Sequence, residues 1–307
     1  MTAEVGSSRD QAPKGDAAYR LPLTALRSTL AHGGTRLAAA LTYYATLSLA
    51  PAMIVLVSLI GLVGGGSEQN GEVILEAVGE VAPPAVVEAL EGPVEAIARG
   101  DYAGEFFWIG LILALWAASG YVGTFIWAAD VMCQVERRES ALRRIPRQLV
   151  IAVASLVSLA LLTAIVTGSG PVARWVGDLL DLGDTALTVW SYGRWLLFLF
   201  VATLEFGVLY RLGPAGQAFR LRWVSVGGLV AALLAFTASL GFSVYVANFG
   251  SYDRTYGALA TFIVFLVWLW LVDLMLVYGF ELNLALSSRR SGEVNGEAGD
   301  EAPPGVT

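Results

Sequence analysis

The chain has 307 residues, of which 56% are hydrophobic and only 15% charged, and the apolar residues come in long uninterrupted blocks. That pattern excludes a soluble core built on alternating apolar and charged positions and predicts an all-α membrane protein. One cysteine rules out an internal disulfide and a Cys-rich metal site, and one histidine with a net charge of −7 offers no basic groove for nucleic acid.

Residues 1–20 are rich in Ser, Gly, Pro and acid, too polar to offset the entropy of ordering, and read as a disordered tail. The stretch "LPLTALRSTLAHGGTRL" follows, with Leu23, Leu26 and Leu30 at helical spacing around Arg27, which suits a short interfacial helix. His32, in its Gly-rich turn, reads as a solvated loop residue. A hydrocarbon core about 30 Å thick takes roughly 20 apolar helical residues to cross. Six blocks are long enough: 37–64, 106–131, 149–168, 192–210, 223–247 and 259–286. The first lacks a small-x-small cleavage site and is expected to stay as an anchor. It carries Thr42, Tyr43, Tyr44, Thr46 and Ser48, then Pro51, which cannot donate to the carbonyl of Leu47 and should kink the helix.

The loop 65–105 is acidic, with apolar residues every three or four positions, and predicts two short amphipathic helices broken by Pro83 and Pro84. Two readings stand: a cap over an outward opening, or a solvated acidic face resting on the span ends. The second block ends near Asp130 and Cys133, the latter read as an inert structural thiol. Trp175, Trp190 and Trp195, around a second acidic loop, fit an aromatic belt at the interface. Glu205 lies in the fourth block, and Gly227, Gly228, Ala231, Ala232 and Ala235 give the fifth a small-residue stripe for close helix approach. The turn "NFGSYDRTYGAL" gathers Tyr252, Asp253, Arg254 and Tyr256 and reads as an outer gate or a structural staple. Asp273, Glu281 and Asn283 fall in the sixth block, so the membrane domain spans 21–287 and 288–307 forms a second disordered tail.

Charge sorts these blocks across the membrane. Of 19 Lys and Arg residues, 15 lie in the two tails and in the second and fourth loops; only Arg99, Arg174, Arg194 and Arg254 lie in the alternate ones. The positive-inside rule then puts both termini in the cytoplasm around a bundle of six transmembrane helices.

A charged side chain at the bilayer centre costs about 2.5–3.5 kcal/mol on insertion scales, so Asp130, Glu205, Asp273 and Glu281 should face the bundle interior or a watered cavity. At 1.5 Å per residue Asp273 lies roughly 21 Å, and Glu281 roughly 33 Å, from the outer end of the sixth span. The four acids thus gather in the inner half, with Tyr43 and Tyr44 at the same depth. They outline a bent, inward-opening polar cavity. The alternative is structural: Glu281 pairs with Arg289 or a loop arginine, and Asp130 with Arg137 or Arg138.

The stretches "AAALTYYATLSLAPAMIVLVSLIGL", "LWAASGYVGTFIWAADVM", "LYRLGP", "YDRTYGALATFIVFLVWLW" and "YGFELNLAL", in this order, resemble the YihY/BrkB family of bacterial inner-membrane proteins over residues 25–286. The resemblance implies six spans and a multi-pass protein of the bacterial cytoplasmic membrane. It places the family's polar features on Tyr43, Tyr44, Pro51, Tyr256, Gly257, Gly279, Glu281 and Asn283. Phe280 departs from the small residue more usual beside that glycine, which bears on helix packing there. Such proteins have been linked to serum resistance and envelope lipid handling, and some carry an older ribonuclease BN label.

Two functions follow as expectations. The first is a transporter or flippase-like protein for an amphiphile or envelope lipid, with cytoplasmic arginines attracting anionic head groups. The second is a noncatalytic scaffold for envelope assembly, binding through the acidic loop and the tails. The partners expected are membrane lipids, anionic ones included, and no nucleic acid. No enzyme activity, cofactor or metal is expected, and a nuclease reading lacks both a basic groove and a cluster of catalytic groups.

Overall fold

The computed structural model describes residues 16–63, 92, 103–135, 141–167, 183–212, 226–248 and 258–300. Among these the secondary structure is helical throughout, in α1 (Asp16–Ala31), α2 (Gly34–Val63), α3 (Ala103–Cys133), α4 (Ala141–Thr167), α5 (Gly183–Leu212), α6 (Val226–Asn248) and α7 (Ala258–Asp300). Five of them, α3 to α7, are long and apolar enough to cross a membrane. Helix α2 covers the first apolar block in 30 residues and stays helical through Pro51. Away from its end turns an α-helix pairs its backbone N–H and C=O groups within itself, which is what an apolar solvent demands.

Successive helices pack on one another, α2 on α3, α3 on α4, and so on to α7, which returns to α2 and closes a ring. Helix α3 also touches α5 and α7 across the ring and is the most buried of the five candidate spans. The core lies toward the end of the bundle where α1 docks. There Phe125 of α3, Tyr210 of α5 and Phe280 of α7 meet with ring centroids 5.5–6.0 Å apart. Phe280 is fully buried in this trio, so the bulky residue beside Gly279 serves as a packing centre. Toward the other end large apolar side chains such as Trp116, Leu196 and Val244 stand exposed, as lipid-facing residues do.

The small-residue stripe of α6 does what its composition predicts. A Cβ on Gly227 would run into the Gly279 carbonyl oxygen, and one on Gly279 would stand 2.6 Å from the Gly227 carbonyl and from the Tyr210 hydroxyl. The two backbones therefore meet at a glycine pair. The Asn283 side chain accepts a hydrogen bond from the Gly227 amide at 3.0 Å, satisfying a free donor in the first turn of α6.

Helix α1 lies against α7, with Ala25 and Thr29 buried and the Tyr278 hydroxyl donating to the Pro22 carbonyl at 3.2 Å. Leu23, Leu26 and Leu30 are 45–60% exposed, so the leucine stripe turns away from the protein, as an interfacial helix requires. The turn into α2 uses Gly33 in the left-handed region, φ 71°, and Gly34, where a Cβ would strike Thr29.

The helical boundaries differ from expectation at both tails. Helix α1 begins at Asp16, inside the segment read as tail, and α7 runs to Asp300, past residue 287. Once a long helix is nucleated each added residue costs little, so a polar extension with Ala, Arg and Glu can continue it. The remaining residues of both tails, most of the acidic loop and the turn 249–257 lie outside the described residues.

Candidate functional site

Asp273, on α7, is buried with 2% exposure and is held from two sides. The Tyr121 hydroxyl of α3 donates to Oδ1 at 2.8 Å, and the Thr42 hydroxyl of α2 lies 2.9 Å from Oδ2. Thr42 is also 2.9 Å from the Ala38 carbonyl. A hydroxyl has one proton, so two arrangements suit these positions. Either Thr42 donates to the carboxylate, or a protonated Asp273 donates to Thr42, which passes its own proton to Ala38. The three helices α2, α3 and α7 are thus tied by one carboxyl group. Glu205 on α5 is half-buried and within electrostatic reach of Tyr121, with no hydrogen-bond or ion-pair partner among the described residues.

Glu281, two turns along α7, is also buried, and its partner is His32, whose Nδ1 lies 2.6 Å from Oε1. This corrects one expectation, that His32 is a freely solvated loop residue, and gives Glu281 a partner on the α1–α2 turn; the side chain of Arg289, the expected mate, lies outside the described residues. The Gly33–Gly34 turn folds α1 back onto α7 and carries His32 there, a juxtaposition of residues 249 positions apart that no local pattern reveals. Gln134, just past α3 with φ 55°, reaches the other ring nitrogen at 3.5 Å. Asp130, near the same end of α3, is buried at 5% exposure.

The tyrosine pair divides between two cavities. Tyr43 and Tyr44 meet edge to face at 5.2 Å. Tyr43 borders a groove of about 780 Å³ between α2 and α7, lined by Thr42, Thr46 and Leu47 and by Phe262, Leu266, Val267 and Trp270. Tyr44 borders a cavity of about 400 Å³ between α2, α3 and α4, lined by polar residues including Gln148 and Arg144. Leu47 belongs to both walls. Asp273, Glu205, Glu281, Asp130 and Asn283 border neither of these two spaces. Thr42 is the link: it lines the first groove and touches Asp273 behind it.

Sequence reading missed Tyr121, Arg144 and Gln148. Tyr121 sits between small residues in "AASGYVGTF", a polar ring where close helix contact is expected, and that was the available signal. Tyr252, Asp253, Arg254 and Tyr256 lie outside the described residues. Among the described residues no three His, Cys, Asp or Glu side chains converge as a metal site would need.

The family model described as "Virulence factor BrkB" matches residues 25–303. A "putative ribonuclease-like protein YfkH" of Bacillus subtilis (strain 168) is 27% identical over 84% of this chain and 92% of the relative. A UPF0761 membrane protein of Rhodospirillum centenum is 33% identical over 48% of this chain and 33% of the relative. One from Aeromonas salmonicida is 36% identical over 40% and 42%. The chain therefore spans well under half the length of these two membrane-protein relatives. No solved structure matches.

Proposed function

The chain belongs to the BrkB virulence-factor family, and on that premise we propose a transporter or flippase-like protein for an amphiphile or envelope lipid, working without covalent chemistry. In this reading it is a six-span protein of the bacterial cytoplasmic membrane with both termini inside. The observation that carries it is the groove between α2 and α7. It is apolar, of ligand size, and bordered by side chains as exposed as Tyr43 (63%) and Ile263 (50%), so in a bilayer it opens sideways to acyl chains. One wall residue, Thr42, bonds directly to a buried carboxyl group, so a shift of α7 against α2 and a change at Asp273 act on the same contact.

The route differs from the one first expected. An amphiphile enters from the side, through a lipid-facing groove, and Asp273 stands behind its wall at Thr42. Asp273, bonded to Tyr121, and Glu205 on α5 are the intramembrane acids on which helix movement would act in this reading.

Reconstitution into liposomes with labelled lipids tests this. The wild-type protein should move label across the bilayer faster than protein-free vesicles, and Asp273→Asn and Glu205→Gln should slow it while expression is kept. No movement above the control for any envelope lipid contradicts it. The sidedness has its own check: in a Cys133→Ser background, Ser288→Cys, at an exposed position of α7, should react with a membrane-impermeant thiol reagent in inside-out and not in right-side-out sealed vesicles.

One observation favours the second reading, a membrane scaffold. Asp273 and Glu281 each have partners in a packed core, as structural acids do. A scaffold would keep its full activity in Asp273→Asn. The word "ribonuclease" in a relative's name has a weaker footing here: cleavage of RNA needs a basic, watered groove, and the arginines are confined to the short loops and tails at the span ends.

A further inference from the structure

Two of the side chains in the smaller cavity have no role in the helix packing described so far. Gln148 of α4 is 93% buried, exposed at only 7%, yet its amide has no hydrogen-bond partner among the described residues. Arg144 lies one turn earlier on the same face of α4. Its Nε is buried without a hydrogen-bond partner, and the side chain makes no ion pair among the described residues. A buried guanidinium N–H left without an acceptor among the described residues is costly. Both border a 400 Å³ space with Ser119, whose hydroxyl adds a further donor, and with Thr124. Thr124 spends its proton on the Gly120 carbonyl at 2.9 Å.

The backbone makes room for this set. A Cβ on Gly123 would stand 2.7 Å from the Gln148 Nε2, and one on Gly120 would stand 2.7 Å from the Tyr44 ring. The two glycines let the amide and the ring lie flat on α3. Trp116 and Trp127, 68% and 54% exposed, flank the opening on the lipid-facing side.

We propose that Arg144, Gln148 and Ser119 form a binding site for an anionic phosphate ester, the guanidinium supplying charge and a planar fork of donors and the amide and hydroxyl the remaining hydrogen bonds. The fork matches phosphate oxygens as a lysine ammonium does not. The opening toward lipid and the wall shared at Leu47 with the apolar groove suit a phospholipid headgroup, its acyl chains lying around α2. This inference rests on the amphiphile reading above and names the headgroup that reading leaves open.

The test uses the full chain in nanodiscs of phosphatidylcholine holding a minor fraction of phosphatidylglycerol, followed by native mass spectrometry of the lipids retained. The wild type should retain phosphatidylglycerol in preference to phosphatidylcholine. Arg144→Ala and the similarly sized Gln148→Leu should each cut that preference about tenfold, the size expected for losing a charge-assisted or buried hydrogen bond. Arg144→Lys should restore it in part. Because neither group holds the fold, the Tm of delipidated protein should not fall in Arg144→Ala. Saturable binding of inorganic phosphate or glycerol phosphate with the same dependence on Arg144 supports the site and makes its ligand a soluble ester. An unaltered preference in both Arg144→Ala and Gln148→Leu overturns the proposal, as does a Tm that falls with retention unchanged. Should Arg144→Ala fail to fold, Gln148→Leu and Arg144→Lys decide. Lipid movement absent while headgroup preference persists would tell against transport and leave this site standing.

Discussion

The residue that most constrains the account is Asp273. Its carboxyl group joins three helices, and its place within the sixth apolar block was legible from the sequence. Its partners were not, because Thr42 and Tyr121 come from other helices and contact across a bundle leaves no trace in local periodicity. The geometry predicts different outcomes for two substitutions. In Asp273→Asn the amide oxygen can still accept from Tyr121 and the amide nitrogen can donate to Thr42, so thermal unfolding in detergent should change little. In Asp273→Ala the buried Tyr121 hydroxyl loses its acceptor, a cost of about 1–3 kcal/mol. Equal destabilisation by both would show that the charge holds the helices and that a neutral hydrogen-bonding group cannot. Glu281 carries the opposite lesson. Its position near the end of the span made an arginine the natural mate, and the chain turn at Gly33 brings a histidine to it.

At the scale of helices, composition was most informative where it dictated close approach. The stripe from Gly227 to Ala235 announced a tight contact, and α6 does pack on α7 there with Gly279 opposite Gly227. What the sequence could not say was which helix would be the neighbour. The contact is intolerant of added atoms, because a side chain on Gly279 meets the Gly227 carbonyl and the hydroxyl of Tyr210, which itself donates to the Leu276 carbonyl at 2.6 Å. Gly279→Leu should therefore separate α6 from α7 and destabilise the fold by several times RT, about 2 kcal/mol or more by analogy with overpacked cores. Gly241→Leu, on the partner helix α6 but with open space at its Cβ, should cost far less. Comparing their unfolding midpoints checks the claim; equal losses would refute it. The leucine stripe of α1 was legible for a related reason: with Arg27 among three leucines, an interfacial helix is the arrangement that satisfies both kinds of side chain, and α1 docks by its opposite face.

Viewed whole, the molecule is a ring of helices packed tightly near α1 and more openly toward the other end, with two cavities on either side of α2. The helical character and order of the apolar blocks followed from their lengths, since few folded solutions exist for long apolar segments in lipid. Cavity placement did not, because it depends on how neighbouring helices splay and on where glycines let side chains lie flat. Of the polar residues picked from the sequence, Tyr43 and Tyr44 border the two cavities, and Asp273 stands behind the first at Thr42. The account's central claim is that the α2–α7 groove receives the acyl chains of an amphiphile from the side. Photocrosslinking in proteoliposomes with a phospholipid carrying a diazirine on its acyl chain, mapped by peptide mass spectrometry, tests this most directly. The adducts should concentrate on Tyr43, Leu47 and the segment 262–270, and should fall when the groove is filled by Ala39→Trp. Adducts spread evenly over the exposed faces of α4, α5 and α6, and unaffected by that substitution, would contradict it.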